Sequence, residues 1–549
     1  MPMAPNDAAV TLSEHCVPCF TRLVTHLLTL GHSWEVSKHH GARRRSAAMT
    51  LGAGSRHVHA VHRHTAAALH VGLDEATRTV VGGKGRAVAA MAAMGLPVPP
   101  AFCVTSEWCD ECAHDPAAIV DRMWQDVLGG LTVLEQRTGC TFGAGPHPLL
   151  LSVRSSGVTS MPGMLDTVLN VGIDDAVADA LGTRYSAQFA HDTRERFRRG
   201  YRRAVQGDAA VPDEPMAQLR GAIEAVASSW SSSRVTAYRA HHRLERGGIA
   251  ILLQAMVFGN LDARSGTGVM FTRDPASGAS RPFGEWLPAA QGDDVVSGTS
   301  DAEPLDGMRD RLPDAYDELI DAGMRLERLG ADVQDVEFTV EAGRLWLLQS
   351  RVAKRSPRAA VRLAVAFHDE GVIDHVEVLR RVTPEQLAAA LEVRSAPSGP
   401  PLATGAAACP GVASGLVCVS SDDAIEAADD GRDAILVRPT TSPDDVAGMM
   451  AAKAVVTEVG GASSHAAIVA RELGIPAVVG CGVGISDLLA GRTVTVDGDA
   501  GEVRDGEASA AGPADDPELL RFAELVRSAD DAAAEPLQAV LRAAGGGLG

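Results

Sequence analysis

Along most of the chain, apolar residues recur with either a helical or a strand period, and the two alternate. TRTVVGGKGRAVAAMAAMGLPVPPAF (77–102) predicts a strand, a glycine turn, an alanine-rich helix ending at Gly95 and an extended stretch. Apolar runs at Leu149–Val153, Ile249–Gln254 and Gly268–Thr272 predict strands, and Asp174–Arg243 reads as helical and arginine-rich. A hairpin follows, with DVEFTV and LWLLQSR on either side of the turn EAGR. Residues 354–394 predict two amphipathic helices, and SAPSGPP (395–401) a linker. From 402 a smaller α/β unit carries strands at AILV, AVVT, PAVVG and TVTVDG, with helices after Ser442 and Ser464. Beyond about 506 an Ala/Asp/Glu-rich tail predicts one or two exposed helices. The expected fold is multidomain α/β (α+β), divided into 71–353, a helical connector and linker at 354–401, 402–506, and a tail at 507–549.

Residues 1–70 differ. They hold ten of the 18 histidines without a strand or helix period, and read as a disordered extension or as sequence ahead of a later start at Met49. His15, Cys16 and Cys19 could form half of a metal site, but no second cysteine pair follows at matching spacing.

Composition narrows the function. The net charge of −20, from 70 acidic against 50 basic side chains, argues against a general nucleic-acid or membrane-surface binder. Nine scattered cysteines fit reduced thiols, and the absence of a long apolar run or signal-peptide pattern leads us to expect a soluble, cytoplasmic protein.

Candidate chemistry lies in three places. Ser463 or Ser464 in GGASSHAAIVAR (460–471) can cap a helix, which puts His465 in its first turn beside free N–H groups and the positive dipole end. A neutral imidazole there could carry a phosphoryl group, or it could merely cap and pack. In VVGGKGRA (80–87) Lys84 stands between glycines, although the Walker A pattern is absent. LLLSVRSSGVTSMPGMLDT (149–167) delivers Arg154 from a buried strand into a loop that contains Gly163. In DVEFTV the two-residue period puts Asp335, Glu337 and Thr339 on one face and Val336, Phe338 and Val340 on the other. Two carboxylates roughly 7 Å apart suit Mg²⁺ on nucleotide phosphates. Gln349 and Arg351 alternate on the paired strand, where Arg351 could also serve only as a cross-strand ion pair.

The combination GGKG, VRSSGVTSMPGMLDTVLNVG, LLQAMVFGN, GTGVMFTRDPASG, AAQGDDVVSGT, QDVEFTVEAGRLWLLQSR, TSPDDVAGM and GGASSHAAIVAR resembles pyruvate phosphate dikinase, in that family's order, over about residues 78–505. The resemblance implies an ATP-grasp-like nucleotide-binding domain followed by a small swivelling phosphohistidine domain, with ATP and Mg²⁺ as cofactors. It implies that Lys84, Arg154, Gly163, Gln349 and Arg351 bind nucleotide and phosphate, that Asp335 and Glu337 bind the metal, and that His465 is the carrier. ATP would phosphorylate His465, AMP would leave, phosphate would depart as pyrophosphate, and pyruvate would become phosphoenolpyruvate. Alternatives are a water-using relative, of the phosphoenolpyruvate synthase or rifamycin phosphotransferase type, and a non-catalytic nucleotide-binding remnant. Three departures stand out. Ser463 replaces a usual threonine that a regulatory kinase and phosphatase act on in the family, and Asp293 replaces a usual glutamate. The family's pyruvate/phosphoenolpyruvate barrel has no counterpart, so we expect the acceptor site on a separate protein.

Overall fold

The computed structural model describes residues 58–61, 75–106, 116–159, 165–205, 210–232, 235–236, 239, 248–292, 294, 302–392, 394–510, 516–529, 531 and 533–544. The readings made for His15, Cys16, Cys19, Met49, Gly163 and Asp293 lie outside these residues.

Three sheets organise the chain. The first contains β1 (Val58–Val61), β2 (Ala101–Val104), β3 (Leu151–Gly157), β4 (Thr167–Val171) and β5 (Ile249–Ala255), in the order β1-β2-β5-β3-β4. Strand β1 lies inside the stretch expected to be disordered. VHAV pairs antiparallel with β2 at a sheet edge, so regular structure starts before residue 71.

TRTVV is not a strand. One helix, α1 (Glu75–Ala93), spans the segment and bends at Gly82, whose φ is +71°. β-branched residues favour strands only weakly against tertiary packing. Here Val81, Val88 and Met91 form a helical stripe buried against Ala250, Leu252 and Cys103 of the first sheet. Ser156 of β3 fixes the bend: its hydroxyl donates to the Val81 carbonyl (2.7 Å) and accepts from the Gly85 N–H (3.0 Å). A Cβ on Gly82 would lie 1.9 Å from the Ser156 carbonyl oxygen, so only glycine fits.

The far side of the first sheet is covered by α2 (Pro116–Thr138), α3 (Asp175–Arg184), the arginine-rich α4 (Ala187–Val205) and α5 (Pro215–Ser229). The second sheet holds β6 (Gly266–Phe271), β7 (Phe283–Pro288), β8 (Glu303–Pro304), β9 (Gln334–Glu341) and β10 (Arg344–Val352), ordered β8-β7-β6-β9-β10. Val336, Phe338 and Val340 are fully buried with Trp286 and the apolar stripe of α7 (Pro313–Gly330), each worth about 2 kcal/mol. That burial turns the other face of β9 toward the site.

Three connector helices follow rather than two: α8 (Pro357–Asp369), α9 (His375–Arg381) and α10 (Pro384–Leu391). Asp374 and Thr383 cap α9 and α10, dividing what reads as one periodic segment. The third sheet takes β11 (Ala403–Thr404), β12 (Ala406–Cys409), β13 (Val412–Cys418), β14 (Ala434–Arg438), β15 (Ala454–Thr457), β16 (Ala477–Val479), β17 (Thr493–Asp497) and β18 (Glu502–Asp505). Their order is β11-β18-β17-β13-β14-β15-β16-β12, with β13 to β16 parallel and helices at the crossovers. One crossover is α13 (His465–Leu473).

The tail is more than exposed helix. Helices α15 (Pro517–Ser528) and α16 (Ala534–Ala543) bury Leu519, Phe522, Val526 and Leu537 in one core with α8 and α10. Arg362 of α8 pairs with Asp516 ahead of α15 at 2.9 Å. Low residue complexity hid an apolar stripe with few but well-spaced members.

Candidate functional site

Cross-strand register aligns the site into two rows on one face of the second sheet. Glu285, Val269, Glu337 and Gln349 form one row across β7, β6, β9 and β10, and Phe283, Phe271, Asp335 and Arg351 form the next. Residues directly opposed across a ladder point to the same side. Asp335 and Glu337 therefore share the face expected of them, together with Gln349 and Arg351.

Arg154 joins the two sheets. Its Nη2 meets Glu337 Oε2 and Gln349 Oε1, each at 3.2 Å, while its Nη1 meets Gln254 Oε1 at 3.4 Å and the Leu348 carbonyl at 3.3 Å. Gln349 Nε2 returns to Glu337 Oε1 at 3.1 Å. Arg351 Nε donates to Asp335 Oδ2 at 2.7 Å. The cross-strand ion pair is thus present, and it lies inside the cluster. Asp335 is 3% exposed, and burial pushes its carboxyl above the usual range, opposed by Arg351. Its Oδ1 is buried with no hydrogen-bond partner.

Lys84 belongs to the same cluster. Burial, then the charges of Arg154 and Arg351, lower its pKa to about 7, with Glu337 opposing. A lysine among arginines is costly to keep charged without an anion, so this cluster would favour an anion beside it. Among the described residues, no group of three or more His, Cys, Asp and Glu could hold a metal ion. Asp335 and Glu337 instead suit a cation that takes its other ligands from phosphates and water, as Mg²⁺ commonly does, and the orphaned Asp335 Oδ1 fits that role.

His465 opens α13, with Ser464 as N-cap accepting from the Ala467 N–H. Its Nε2 is buried without a partner. Burial holds the imidazole pKa below its ordinary value, against the Ser442 backbone and the Asp445 charge. Burial therefore favours the neutral ring.

The two halves meet. Glu285 Oε1 accepts from the Ala462 N–H (2.6 Å), and its Oε2 accepts from the Ser463 N–H (2.9 Å) and the Ser463 hydroxyl. A Cβ on Gly461 would fall 2.2 Å from Glu285 Oε1, so the approach requires glycine there. Glu285 stands two strands from Glu337, roughly 10 Å at ordinary strand spacing. Further along α13, Arg471 is 2% exposed, with its guanidinium 5.5 Å from the Phe271 ring and Nε and Nη2 unpartnered. Lys354 and Glu472 add an ion pair at 2.8 Å.

Sequence reasoning missed Glu285 and Arg471. Glu285 could have been found, because FGEWLP alternates and register would align its charge with Glu337. Nothing local marked Arg471, which reads as an ordinary last-turn arginine.

Comparison with known proteins identifies the family. Residues 117–311 match the pyruvate phosphate dikinase AMP/ATP-binding domain, and residues 431–501 match the mobile domain of PEP-utilising enzymes. These are a nucleotide-binding unit and a mobile unit of phosphotransfer enzymes. Over the matched residues the chain belongs to the pyruvate phosphate dikinase family. It is 37% identical over 503 residues to pyruvate, phosphate dikinase 1 (chloroplastic) of Zea mays, covering 80% of this chain and 53% of that protein. It is 36% identical over 511 residues to the Arabidopsis thaliana protein of the same name, covering 82% and 53%. For pyruvate, phosphate dikinase 2 of Zea mays the values are 37% over 511 residues, 82% and 58%. The chain spans about half the length of these relatives. Among the described residues no helix is long and apolar enough to cross a membrane.

Proposed function

We propose that this chain is a phosphotransferase that moves the β-phosphoryl of ATP onto His465 Nε2. The observation that carries the reading is the unpartnered Nε2 of an imidazole whose burial favours its neutral form, on a helix whose entry loop is bonded to Glu285, on the sheet face that also bears Glu337. The Nε2 lone pair attacks the β-phosphorus and AMP leaves with the electrons of the broken P–O bond. The γ-phosphoryl passes to inorganic phosphate, giving pyrophosphate and leaving one phosphoryl on His465. Lys84, Arg154 and Arg351 hold the phosphates, Gln349 fixes the Arg154 fork, and Asp335 and Glu337 hold Mg²⁺, which would neutralise phosphate charge. Free N–H groups at the start of α13 stabilise the phosphoryl that His465 acquires.

Pyruvate, taken from the relatives' name, is the proposed acceptor, with phosphoenolpyruvate as product. We also propose that 71–353 is the nucleotide unit and 402–506 the carrier unit, and that Ser463 is the position a regulatory kinase and phosphatase would address. A phosphate there would meet Glu285.

Incubation with ATP labelled at the β-phosphoryl, with and without phosphate, tests the reading. Label on the parent protein, its loss in His465→Asn, and phosphate-dependent pyrophosphate are expected. AMP release by His465→Asn at the parent rate would refute the carrier assignment. A second inorganic phosphate in place of pyrophosphate would identify a water-using enzyme.

A further inference from the structure

We infer that Arg471 is a phosphate ligand that the carrier helix α13 contributes to the nucleotide site, so that the site is complete only when this helix lies against the second sheet. The inference deepens the proposed function and rests on its nucleotide reading.

Arg471 is 2% exposed, yet one edge of its guanidinium has no partner. Its Nη1 donates to the Ala408 carbonyl of β12 at 2.9 Å, which anchors the group. Nε and Nη2 are both buried and unpartnered. These two nitrogens form the side of the planar fork that matches two oxygens of a phosphate. Burial also works against the charge of this arginine, so an anion beside it would relieve a cost that the protein alone leaves in place.

The surroundings say where that anion would sit. The guanidinium lies 5.5 Å from the Phe271 ring, and Phe271 stands directly opposite Asp335 across β6 and β9, in the row that ends at Arg351. The next residue of the helix, Glu472, pairs at 2.8 Å with Lys354, just beyond Arg351. The carboxylates whose charges act on Arg471 are Asp335, Glu285 and Asp274. Glu285 gives its oxygens to Ala462 and Ser463, and Asp274 gives its own to Ala276 and Ser277. Asp335 gives Oδ2 to Arg351. Of these three groups, only Asp335 keeps a buried oxygen without a partner, Oδ1. An orphaned acceptor thus belongs to the sheet and an orphaned pair of donors to the helix packed on it. A phosphate group carrying a divalent cation would satisfy both, the cation on Oδ1 and the phosphate oxygens on Nε and Nη2. His465 of the same helix is the proposed nucleophile at the β-phosphorus, so the contact falls on the phosphates beyond α.

The test is calorimetric titration of the full chain with α,β-imido-ATP and Mg²⁺, which cannot release AMP, beside titration with AMP. In Arg471→Met the analogue should bind about tenfold more weakly or worse, and AMP should change less than about twofold. The ligand-free variant should melt no lower than the parent, because methionine fills the space without an unpaired buried charge. Arg471→Lys keeps the charge but not the fork and should fall between the two. Unchanged analogue binding, or equal weakening of analogue and AMP, would overturn the inference, and a lower melting temperature with unchanged analogue binding would assign the arginine to packing instead. If Arg471→Met does not fold, Arg471→Lys carries the same comparison, with about a threefold loss expected for the analogue alone. A parent chain that binds neither nucleotide would overturn the nucleotide reading together with this inference, whereas a selective failure in the variants leaves that reading standing.

Discussion

The Arg154 cluster, proposed to meet the nucleotide, and His465, the proposed carrier, differ in how their polar atoms are satisfied. Around Arg154 almost every polar atom has a partner: Glu337, Gln349, Gln254 and a backbone carbonyl share one guanidinium. Nε2 of His465, the proposed nucleophile, has none, while Ser442 nearby is tied to Asp445. A binding surface gains from mutual satisfaction, because fixed charges meet the ligand without rearranging. A nucleophile gains from being left out of the network, provided its neighbours hold it still. Burial acts at both sites: it lowers the pKa of His465, lowers that of Lys84 to about 7 and raises that of Asp335.

The largest effect that would break this comparison comes from Arg154→Met. Removing the guanidinium leaves Glu337 and Gln349 without their shared partner, and ATP binding should weaken about a hundredfold or more. The ¹⁵N signals of the His465 ring should not move. Calorimetric titration with ATP checks the first, and a ¹⁵N-histidine spectrum the second. Coupled movement of both would mean the two regions are one network.

A smaller effect concerns the junction. Ser463→Asp places a carboxylate against Glu285, so AMP formation should drop by about tenfold or more with ATP affinity retained. Ser463→Ala loses one hydroxyl bond and should stay within a few-fold of the parent. Adding Glu285→Lys to Ser463→Asp should recover part of the rate, because the repulsion becomes an ion pair. Equal rates for the Asp and Ala variants would sink this expectation.

The pH response is milder and belongs to the binding side alone. Lys84 has a pKa of about 7 in the folded chain against 10.5 for a free lysine, so the fold disfavours its charge. Between those values the unfolded chain holds more protons, and stability without ligand rises with pH across that window. Phosphate oxygens should restore the charge, so ATP binding at pH 8 should take up protons, and affinity should fall about fivefold from pH 7 to 8. Titrations in buffers of different ionisation enthalpy report the uptake, and Lys84→Met should abolish it.

The smallest effect on chemistry comes from the tail. Phe522→Ala opens a cavity between α15 and the connector helices and should cost about 3–5 kcal/mol of stability. ATP affinity and the His465 ring signals should be unchanged below the melting transition, which a thermal melt beside the two assays would show.

Several features were determined by the sequence alone. The two-residue period of DVEFTV puts Asp335 and Glu337 on one face, since Val336, Phe338 and Val340 must be buried. Ser464 followed by a run of good helix formers puts His465 in a first turn. These are local rules, set by backbone period and by unpaired N–H groups, and they need no distant partner. Tertiary structure decided the rest. TRTVV became helix because its valines found a sheet to pack on, and the tail joined the core because α8 and α10 offered it an apolar face. Glu285 meets Ser463 across 178 residues, Arg154 meets Glu337 across 183, and Asp445 reaches back 24 to Ser421. Contacts of that separation leave no periodic trace in the chain, because each partner fits its own strand or loop equally well until packing brings the two together.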